Sequence, residues 1–525
     1  MSDENRPGRR QPPDGGQAGR NGAAPPDAVL HPVDSHTLRR AGILWFVMIA
    51  AFVYLLVRIL ILQTGGYEKY QNKVLSQLTT ESSVTAERGR IYDTNRTVLA
   101  TNVTTYRVFI SPRTIREYSE EDGTRYDEII ANGLSGLLDT TYENVMKQTT
   151  YTRYLDRTIA RQVDEQTAAQ VEEFIDKYRL NNMVFLQAGS KRYYPHGTLA
   201  CHVLGFTTSD GGGAYGLELQ YDSLLSGTSG RYITARDSHG NEMPYEYQSY
   251  IRASDGHSIV TTLDVYVQSV LEEQLSTAYI ESGGQSRACG IVIDVETGGI
   301  LGMATYPSFD LNDPRTLNAD SQSKLNASGY AAGTEAYLKL KQELQLTTWA
   351  NKSITEAYMP GSTFKIVTAS MAYEENLVSA GETFYCPGYF KVGGRTIHCH
   401  KIAGHGSLTF AQGLQQSCNP ILMMMGLRIG QERFYNYFRS FGYLEKTGVD
   451  LPGEGVSIFY KPENFKEIDL ATASFGQNFK ITPLQQIMAV TTVASGGYLL
   501  TPHLLKEELD SNGNVVKSYE TNVRR

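Results

Sequence analysis

A serine and a lysine three positions apart stand where a hydroxyl group could be made nucleophilic. Pro360 and Gly361 precede Ser362, and a mostly apolar, helix-like stretch follows that contains Lys365. Proline disfavours helix in the residue before it, so a helix could begin here with Ser362 as its N-cap or first residue. Because residues three apart share a helix face, we expect the Lys365 amine to lie beside the Ser362 hydroxyl.

The residues around Lys365 predict that this helix lies in a core. Burial disfavours the charged form of lysine, and a neutral amine is the base that an attacking serine needs. The helix N-terminus adds a positive field and an N–H for the oxyanion. Alternatively, Lys365 extends to solvent from the helix edge and Ser362 is only a cap. The apolar positions are Phe364, Ile366, Val367, Ala369, Met371 and Ala372.

A second pair of polar residues brackets Cys418 just before an apolar run. Ser417 could relay a proton and Asn419 could hold a substrate amide, although a helix-capping turn would have the same pattern. Ser321 and Lys324 repeat the serine-lysine spacing in a polar stretch that offers neither a buried helix nor an apolar wall. We assign that copy no catalytic role.

Composition limits the classes of function. The chain has 525 residues, 41% of them hydrophobic, which is ample for two or three domains with cores. Its 48 basic and 56 acidic residues give a net charge of -8, and no basic stripe with interleaved aromatic residues occurs. We therefore expect no nucleic-acid partner.

The N-terminal region predicts a membrane anchor. Residues 1–38 are rich in proline, glycine and charge, and we expect a disordered tail. Residues 41–62 are apolar and long enough to cross a hydrocarbon core of about 30 Å, and they exceed a signal-peptide core in length. Basic residues concentrate before this segment, which favours a cytoplasmic tail and an extracytoplasmic remainder. They are Arg6, Arg9, Arg10, Arg20, Arg39 and Arg40, against Lys69 and Lys73 after it.

The pattern of predicted helices and strands divides the rest of the chain into a mixed, extended module at 63–254 and an α+β domain at 255–525. The local predictions are a helix at 66–78, strands within 84–110, amphipathic helices at 126–138 and 163–178, a strand at 257–264, a helix at 265–276, and hairpins turning at 296–299 and 510–514.

The cysteines leave two interpretations open. Cys386 and Cys399 flank a glycine-rich, hairpin-like stretch, which suits a disulfide outside the cytoplasm contributing about 3 kcal/mol. Three nearby histidines, His398, His400 and His405, make zinc the alternative. We favour the disulfide because no C-x-x-C pair supports a metal. We interpret Cys201, Cys289 and Cys418 as buried single thiols.

Taken together, these residues resemble the class B penicillin-binding proteins, the monofunctional peptidoglycan transpeptidases. PGSTFK at 360–365 resembles the nucleophile motif of that family, and Ser417-Cys418-Asn419 resembles its S-x-N motif. The flanking matches are RGRIYDTNRTVLA (88–100), YGLELQYDSLLSG (215–227), ETGGILGMATYPSFDLN (296–312), TGVDLPGE (447–454) and FGQNFKITPLQQ (475–486).

The resemblance implies an anchor, a pedestal or dimerisation module at 63–254, and a transpeptidase domain at 255–525 with an antiparallel sheet between helices. It implies that Ser362 attacks D-Ala-D-Ala stem peptides, that Lys365 is the base, and that Ser417 and Asn419 assist. It also implies inhibition by β-lactams, no cofactor or metal, and membrane partners: a glycosyltransferase and division or sporulation proteins.

The chain departs from the family pattern in its third motif, K-T-G. Lys446-Thr447-Gly448 spells it but follows Asn419 too soon and merges into the TGVDLPGE segment. We therefore expect a truncated chain whose transpeptidase domain lacks its C-terminal strands and labels poorly with penicillin. Arg96 and Asn478 stand where the family often has glycine. The alternative functions are a β-lactam-recognising hydrolase or sensor, and a non-catalytic membrane-anchored scaffold for division or sporulation.

Overall fold

We describe the protein from a computed structural model that covers residues 35–64, 79–84, 86–235, 249–284 and 286–525. The described residues form two compact units: residues 35–64, 79–80 and 235, and residues 81–84, 86–234, 249–284 and 286–525. The helix predicted at 66–78 and most of the predicted tail lie outside the described residues.

The first unit contains one long apolar helix, α1, Ser35–Thr64. Its segment Gly42–Ile61 has a mean hydropathy of 2.5, and no other helix in the described part of the chain is long and apolar enough to cross a membrane. The apolar side chains of this segment are exposed, as a lipid-facing surface requires. The helix predicted at 41–62 is confirmed. It begins at Ser35, so the last residues assigned to the tail are helical.

The strands, in chain order, have the following bounds: β1 Thr79–Val84, β2 Ile91–Tyr92, β3 Val98–Ile110, β4 Arg157–Val163, β5 Val184–Tyr193, β6 Gly230–Ala235, β7 Ser249–Ile251, β8 Ser258–Thr261, β9 Ala288–Ile293, β10 Ile300–Tyr306, β11 Thr383–Cys386, β12 Tyr389–Val392, β13 Arg395–His398, β14 Gly406–Thr409, β15 Leu505–Leu509 and β16 Val515–Ser518.

The largest sheet of the second unit joins strands that are far apart in sequence. Its order is β16-β15-β8-β2-β3-β4, and β5 also pairs with β3. β2 and β8 are parallel, and the other pairs are antiparallel. β8 pairs on its other side with β15, so the pedestal sheet continues into the C-terminal hairpin. This hairpin confirms the turn predicted at 510–514.

Helices cover one face of that sheet around a small apolar core. Ile130, Leu134 and Val171 are fully buried against Val108 and Ile110 of β3. Both predicted amphipathic helices are confirmed. The helices of this region are α2 Pro112–Asp122, α3 Tyr126–Leu137, α4 Tyr142–Thr149, α5 Glu165–Tyr178, α6 Cys201–Leu204, α7 Gly216–Gln220 and α8 Asp222–Leu225.

A buried ion cluster ties two of the sequence motifs together. Both Glu218 oxygens are used: Arg88 Nε lies 2.6 Å from Oε2, and Arg192 Nε lies 2.6 Å from Oε1. Arg88 also reaches Asp222, at 2.8 Å. Glu218 is fully buried, so these hydrogen bonds and charges are what makes its ionised form tolerable.

The region after β8 begins with a helix and a hairpin, as predicted. β9 and β10 are antiparallel, and the helix Val265–Glu281 lies on one face of the hairpin, where a side chain at Gly302 would touch Leu271. The next residue, Met303, faces the other way and accepts a hydrogen bond on Sδ from Asn351. Helices thus lie on both faces of an antiparallel pair.

A helical layer completes the second unit. Phe364, Val367 and Met371 are fully buried in a core with residues such as Ile421 and Phe434. The helices of this region are α9 Val265–Glu281, α10 Ala319–Ala327, α11 Glu335–Trp349, α12 Lys352–Thr355, α13 Lys365–Glu374, α14 Phe410–Gln415, α15 Asn419–Ile429, α16 Gln431–Ser440, α17 Glu467–Ala473 and α18 Pro483–Ala494, with 3-10 turns at Gly361–Phe364 and Pro462–Asn464.

Candidate active site

Ser362 lies on a 3-10 turn, Gly361–Phe364, that leads directly into α13. Gly361 has a φ of 60°, and its N–H donates to the carbonyl of Gly476 at 2.9 Å. Gly476 itself has a φ of 83°, and a Cβ there would stand 1.9 Å from the Gly361 oxygen. The FGQN segment at 475–478 therefore fixes the turn that contains Ser362 by close backbone contact, a role that we did not expect from the sequence.

The helix α13 is buried on one side, as the prediction required for Lys365. Lys365 is 1% exposed, and Val367, Thr368 and Met371 are fully buried. Ile366, which we expected in the core, is 39% exposed because it lies on the outer face of the helix. The buried face is thus narrower than predicted, but it contains the lysine.

The Lys365 amine donates three hydrogen bonds to the S-x-N segment. Nζ lies 2.7 Å from the Ser417 carbonyl oxygen, 2.9 Å from Ser417 Oγ and 2.8 Å from Asn419 Oδ1. Desolvation by burial lowers the pKa of Lys365 to about 8, although the nearby thiols of Cys399 and Cys418 act to raise it. This amine is therefore much easier to deprotonate than an ordinary lysine.

Ser362 joins this group through Ser417. The two Oγ atoms are 3.0 Å apart, and Ser362 is exposed while the lysine is buried. We expected the amine to contact Ser362 directly, whereas the hydrogen bonds run from Lys365 through Ser417 to Ser362. All four predicted residues, including Asn419, lie together.

A strained backbone aims Ser417 at the lysine. Ser417 has a φ of 51°, in the left-handed region that costs a non-glycine residue roughly 1 kcal/mol or more. The conformation is held by two hydrogen bonds, from Ser417 N–H to the Leu414 carbonyl at 2.9 Å and from Cys418 N–H to the Gly413 carbonyl at 2.8 Å. Because Oγ, the carbonyl oxygen and Asn419 Oδ1 all converge on Nζ, the strain serves the arrangement of the site.

The second copy of the serine-lysine spacing, Ser321 and Lys324, has different contacts from those of Ser362 and Lys365. The stretch at 319–327, which we expected not to form a buried helix, is the helix α10. Its Ser321 is 7% exposed and lies 3.0 Å from Thr348 Oγ1. Lys324 instead pairs with Asp320 at 2.7 Å.

The triplet Lys446-Thr447-Gly448 lies in a loop that is held by one carboxylate. Glu454 accepts from the Thr447 N–H and hydroxyl, both at 2.6 Å, and from the Gly448 N–H at 3.3 Å. These contacts give the TGVDLPGE segment a structural role, consistent with its exclusion from the catalytic set.

Beside the S-x-N segment, four potential metal ligands converge. The ligand atoms of Cys386, Cys399, His405 and Cys418 all lie within 4.8 Å of one another. The structure records the cysteines as free thiols. We expected Cys386 to pair with Cys399 and Cys418 to be an isolated buried thiol. The position of Cys418 between Ser417 and Asn419 was the available signal that a third thiol lies near the site.

Two family models match consecutive parts of the chain. Residues 83–261 match the Penicillin-binding Protein dimerisation domain, and residues 288–524 match the Penicillin binding protein transpeptidase domain.

Three relatives illustrate the similarity. Stage V sporulation protein D of Bacillus subtilis is 32% identical over 427 residues, which are 81% of this chain and 60% of the relative. Penicillin-binding protein PbpB of Mycolicibacterium smegmatis is 26% identical over 483 residues, 90% of this chain and 70% of that protein. The crystal structure of Penicillin Binding Protein 2X from Streptococcus thermophilus has a TM-score of 0.62 at 24% identity and covers 85% of this chain and 63% of that one.

The chain thus spans less than two thirds of the length of the sporulation protein and of the solved structure. The two domain matches follow one another along the chain. The transpeptidase match contains the serine, the lysine and the S-x-N segment that lie together in the structure. The chain belongs to the class B penicillin-binding proteins, with a dimerisation domain followed by a transpeptidase domain.

Proposed function

We propose that this chain is a serine transpeptidase that cross-links peptidoglycan through an acyl-enzyme on Ser362. The observation that carries the proposal is the unbroken hydrogen-bond path from Ser362 Oγ through Ser417 Oγ to Lys365 Nζ. It links an exposed hydroxyl to a buried amine whose pKa is lowered to about 8, the combination that activates a serine nucleophile.

The acylation step follows from this path. Ser362 Oγ bonds to the carbonyl carbon of a D-Ala-D-Ala terminus while its proton moves to Ser417 Oγ, which passes its own proton to neutral Lys365. When the C–N bond breaks, the proton returns by the same path to the amine of the leaving D-Ala. An ester on Ser362 remains.

In the second step the amine of a neighbouring stem peptide attacks the ester and gives up a proton through Ser417 to Lys365. As the new amide forms and the ester C–O bond breaks, that proton returns through Ser417 to Ser362 Oγ, which regenerates the serine and the neutral amine. We infer that the backbone N–H of Ser362, near the start of the turn that leads into α13, donates to the oxyanion in both steps. With Asn419 Oδ1 engaged by the lysine, its Nδ2 is available to donate to a substrate carbonyl.

A β-lactam tests the proposal, because its strained amide acylates the same serine. Intact-mass measurement of the purified chain in detergent should show one added β-lactam mass, however slowly it accumulates, and peptide mapping should place it on Ser362. Ser362→Ala should remove it. Ser321→Ala, which alters the same spacing in α10, should leave it unchanged.

The lifetime of the adduct separates the alternatives. A stable adduct supports the transpeptidase, rapid release of hydrolysed β-lactam indicates a hydrolase, and the absence of any adduct over long incubation contradicts the proposal and favours a scaffold.

We also propose that α1 anchors the chain with its N-terminus in the cytoplasm and the transpeptidase domain outside. The basic residues before the span support this orientation. Trypsin added to intact protoplasts should digest the region after α1 and leave an N-terminal epitope tag intact. Loss of the tag would reverse the orientation.

The partners that we propose are a membrane glycosyltransferase and division or sporulation proteins, held through the module at 63–254. The family's dimerisation domain, which overlaps this module, and the name of the sporulation relative, Stage V sporulation protein D, support this. Site-specific cross-linking from exposed positions of α5 in cells should capture a polytopic membrane protein; cross-links to soluble proteins alone would contradict it.

A further inference from the structure

Three thiols and one imidazole form a compact cluster beside the proposed relay. His405 Nδ1 lies 3.7 Å from Cys386 Sγ and 3.6 Å from Cys399 Sγ, and Cys418 Sγ completes a set within 4.8 Å. Cys386, Cys399 and Cys418 are 1%, 3% and 0% exposed, and His405 is half-buried. The cluster is thus shielded by protein on the thiol side.

The two sulfur–nitrogen distances match the edges of a metal-centred tetrahedron. With metal–sulfur bonds of about 2.3 Å and metal–nitrogen bonds of about 2.0–2.1 Å, a sulfur and a nitrogen at tetrahedral corners lie about 3.6 Å apart. A thiol hydrogen bond would explain one such contact, but Nδ1 has a single lone pair and cannot accept from Cys386 and Cys399 together. Two nearly equal contacts therefore favour a common centre for the three atoms.

The backbone around the cluster is built to bring its segments together. His405 N–H donates to the Cys386 carbonyl at 3.1 Å, and Cys399 N–H donates to the Gly388 carbonyl at 2.8 Å. Gly388, at a φ of 93°, and Gly404, at 80°, permit this approach: a Cβ on either would meet a backbone oxygen, at 1.9 Å and 2.4 Å respectively. Three of the four ligand positions are thus fixed by β11–β14 alone.

The fourth ligand comes from the S-x-N segment. Cys418 is the N-cap residue of α15 and lies between Ser417 and Asn419, the two residues that hold Lys365. Anything that fixes Cys418 Sγ also fixes the strained backbone of Ser417.

We propose that Cys386, Cys399, His405 and Cys418 bind one Zn²⁺ ion as a closed structural site that holds Ser417 and Asn419 toward Lys365. Binding releases the three thiol protons, and the neutral imidazole binds through Nδ1. Thiolate with imidazole is the ligand set that selects zinc, and four protein ligands leave no open position for chemistry at the metal. A Cys386–Cys399 disulfide would leave the approach of Cys418 and His405 without a cause.

Metal content tests the site independently of catalysis. The full chain, purified in detergent without chelator, should contain one zinc per chain by elemental mass spectrometry, and X-ray absorption should show three sulfur and one nitrogen neighbours. Cys386→Ser and Cys399→Ser should lose most of the metal. Cys289→Ser and His398→Ala, whose residues lie outside the cluster, should keep it.

Ser362→Ala should also keep its zinc, so failure of the proposed transpeptidase function would not affect this result. A wild-type chain without zinc, either with five free thiols or with Cys386 and Cys399 joined as a disulfide, would overturn the proposal, as would another metal in the site.

The proposed role of zinc in holding Ser417 and Asn419 toward Lys365 rests on the proposed function, and a separate experiment measures it. Removing zinc with a chelator should slow β-lactam acylation of Ser362 at least tenfold, and added zinc chloride should restore it. An unchanged rate in the zinc-free chain would overturn the positioning role.

Discussion

Lys365 donates three hydrogen bonds, and an amine with three donors is the protonated form. Burial acts against that charge and lowers the pKa to about 8, so the base form is present as a minority at neutral pH. The resting site thus holds the ammonium through Ser417 and Asn419. In the mechanism that we propose, the ammonium must release one proton before Lys365 can accept the proton of Ser362.

This predicts that acylation by a β-lactam speeds up as pH rises through about 8. Below that value the neutral fraction falls about tenfold per pH unit, and the second-order rate constant should fall with it. Stopped-flow or mass-based rates across this range measure the profile. A rate that does not change with pH would remove Lys365 as the base, and Lys365→Arg, which cannot lose its proton, should be inactive at every pH.

Ser417 can be tested with two variants that both remove its hydroxyl. Ser417→Ala and Ser417→Gly should each slow acylation by about 10²–10⁴-fold, because the relay is lost. At a φ of 51° glycine has no steric cost, so the glycine variant should be more stable than the alanine variant by roughly 1–2 kcal/mol. A normal rate in either variant would show that Ser362 reaches Lys365 without the relay.

At the scale of elements, local spacing predicted the helices and hairpins, and contacts between distant segments were the part that it could not supply. The spacing of three residues predicted that Ser362 and Lys365 lie on one helix face. The contact of Lys365 with Ser417, 52 positions away, depends instead on how α13 and α15 pack against each other. Arg96 and Asn478, where we expected glycine from the family, have φ values of 65° and 72°. Both values lie in the left-handed region, which glycine adopts without steric cost. This backbone conformation, which the sequence did not reveal, explains why the family often has glycine at these positions.

The contact between the turn that contains Ser362 and the FGQN segment can be tested with two glycine substitutions. Gly476→Ala should displace the turn and slow acylation at least tenfold, because its Cβ would overlap the Gly361 oxygen. Gly496→Ala is the matched control: it has the same φ of 83° with open space around the Cβ position, so it carries only the backbone strain of roughly 1–2 kcal/mol. Equal rates in the two variants would mean that this contact does not position Ser362.

At the scale of the whole second unit, the two family domains share structure that a linear division hides. β8 pairs with β2 of the dimerisation domain and with β15 near the C-terminal end. Asp450 accepts from the Leu504 and Leu505 N–H groups and from the Tyr221 hydroxyl. The change in the pattern of predicted helices and strands along the sequence indicated two regions. It could not show these connections, because each joins residues more than 50 positions apart.

The buried ion cluster of this unit provides a stability prediction. Glu218→Gln leaves two buried guanidinium groups without their shared carboxylate and should destabilise the unit by about 3–5 kcal/mol. The exposed pair of Arg96 with Glu507, at 2.7 Å, is the control, and Glu507→Gln should cost about 0–1 kcal/mol because solvent screens it. Urea denaturation of the two variants, followed by fluorescence and by loss of β-lactam labelling, compares them. Similar midpoints would mean that the carboxylate shared by Arg88 and Arg192 contributes no more than a surface pair, and that apolar packing and the remaining contacts of Arg88, such as that with Asp222, hold the 88–100 and 215–227 segments together.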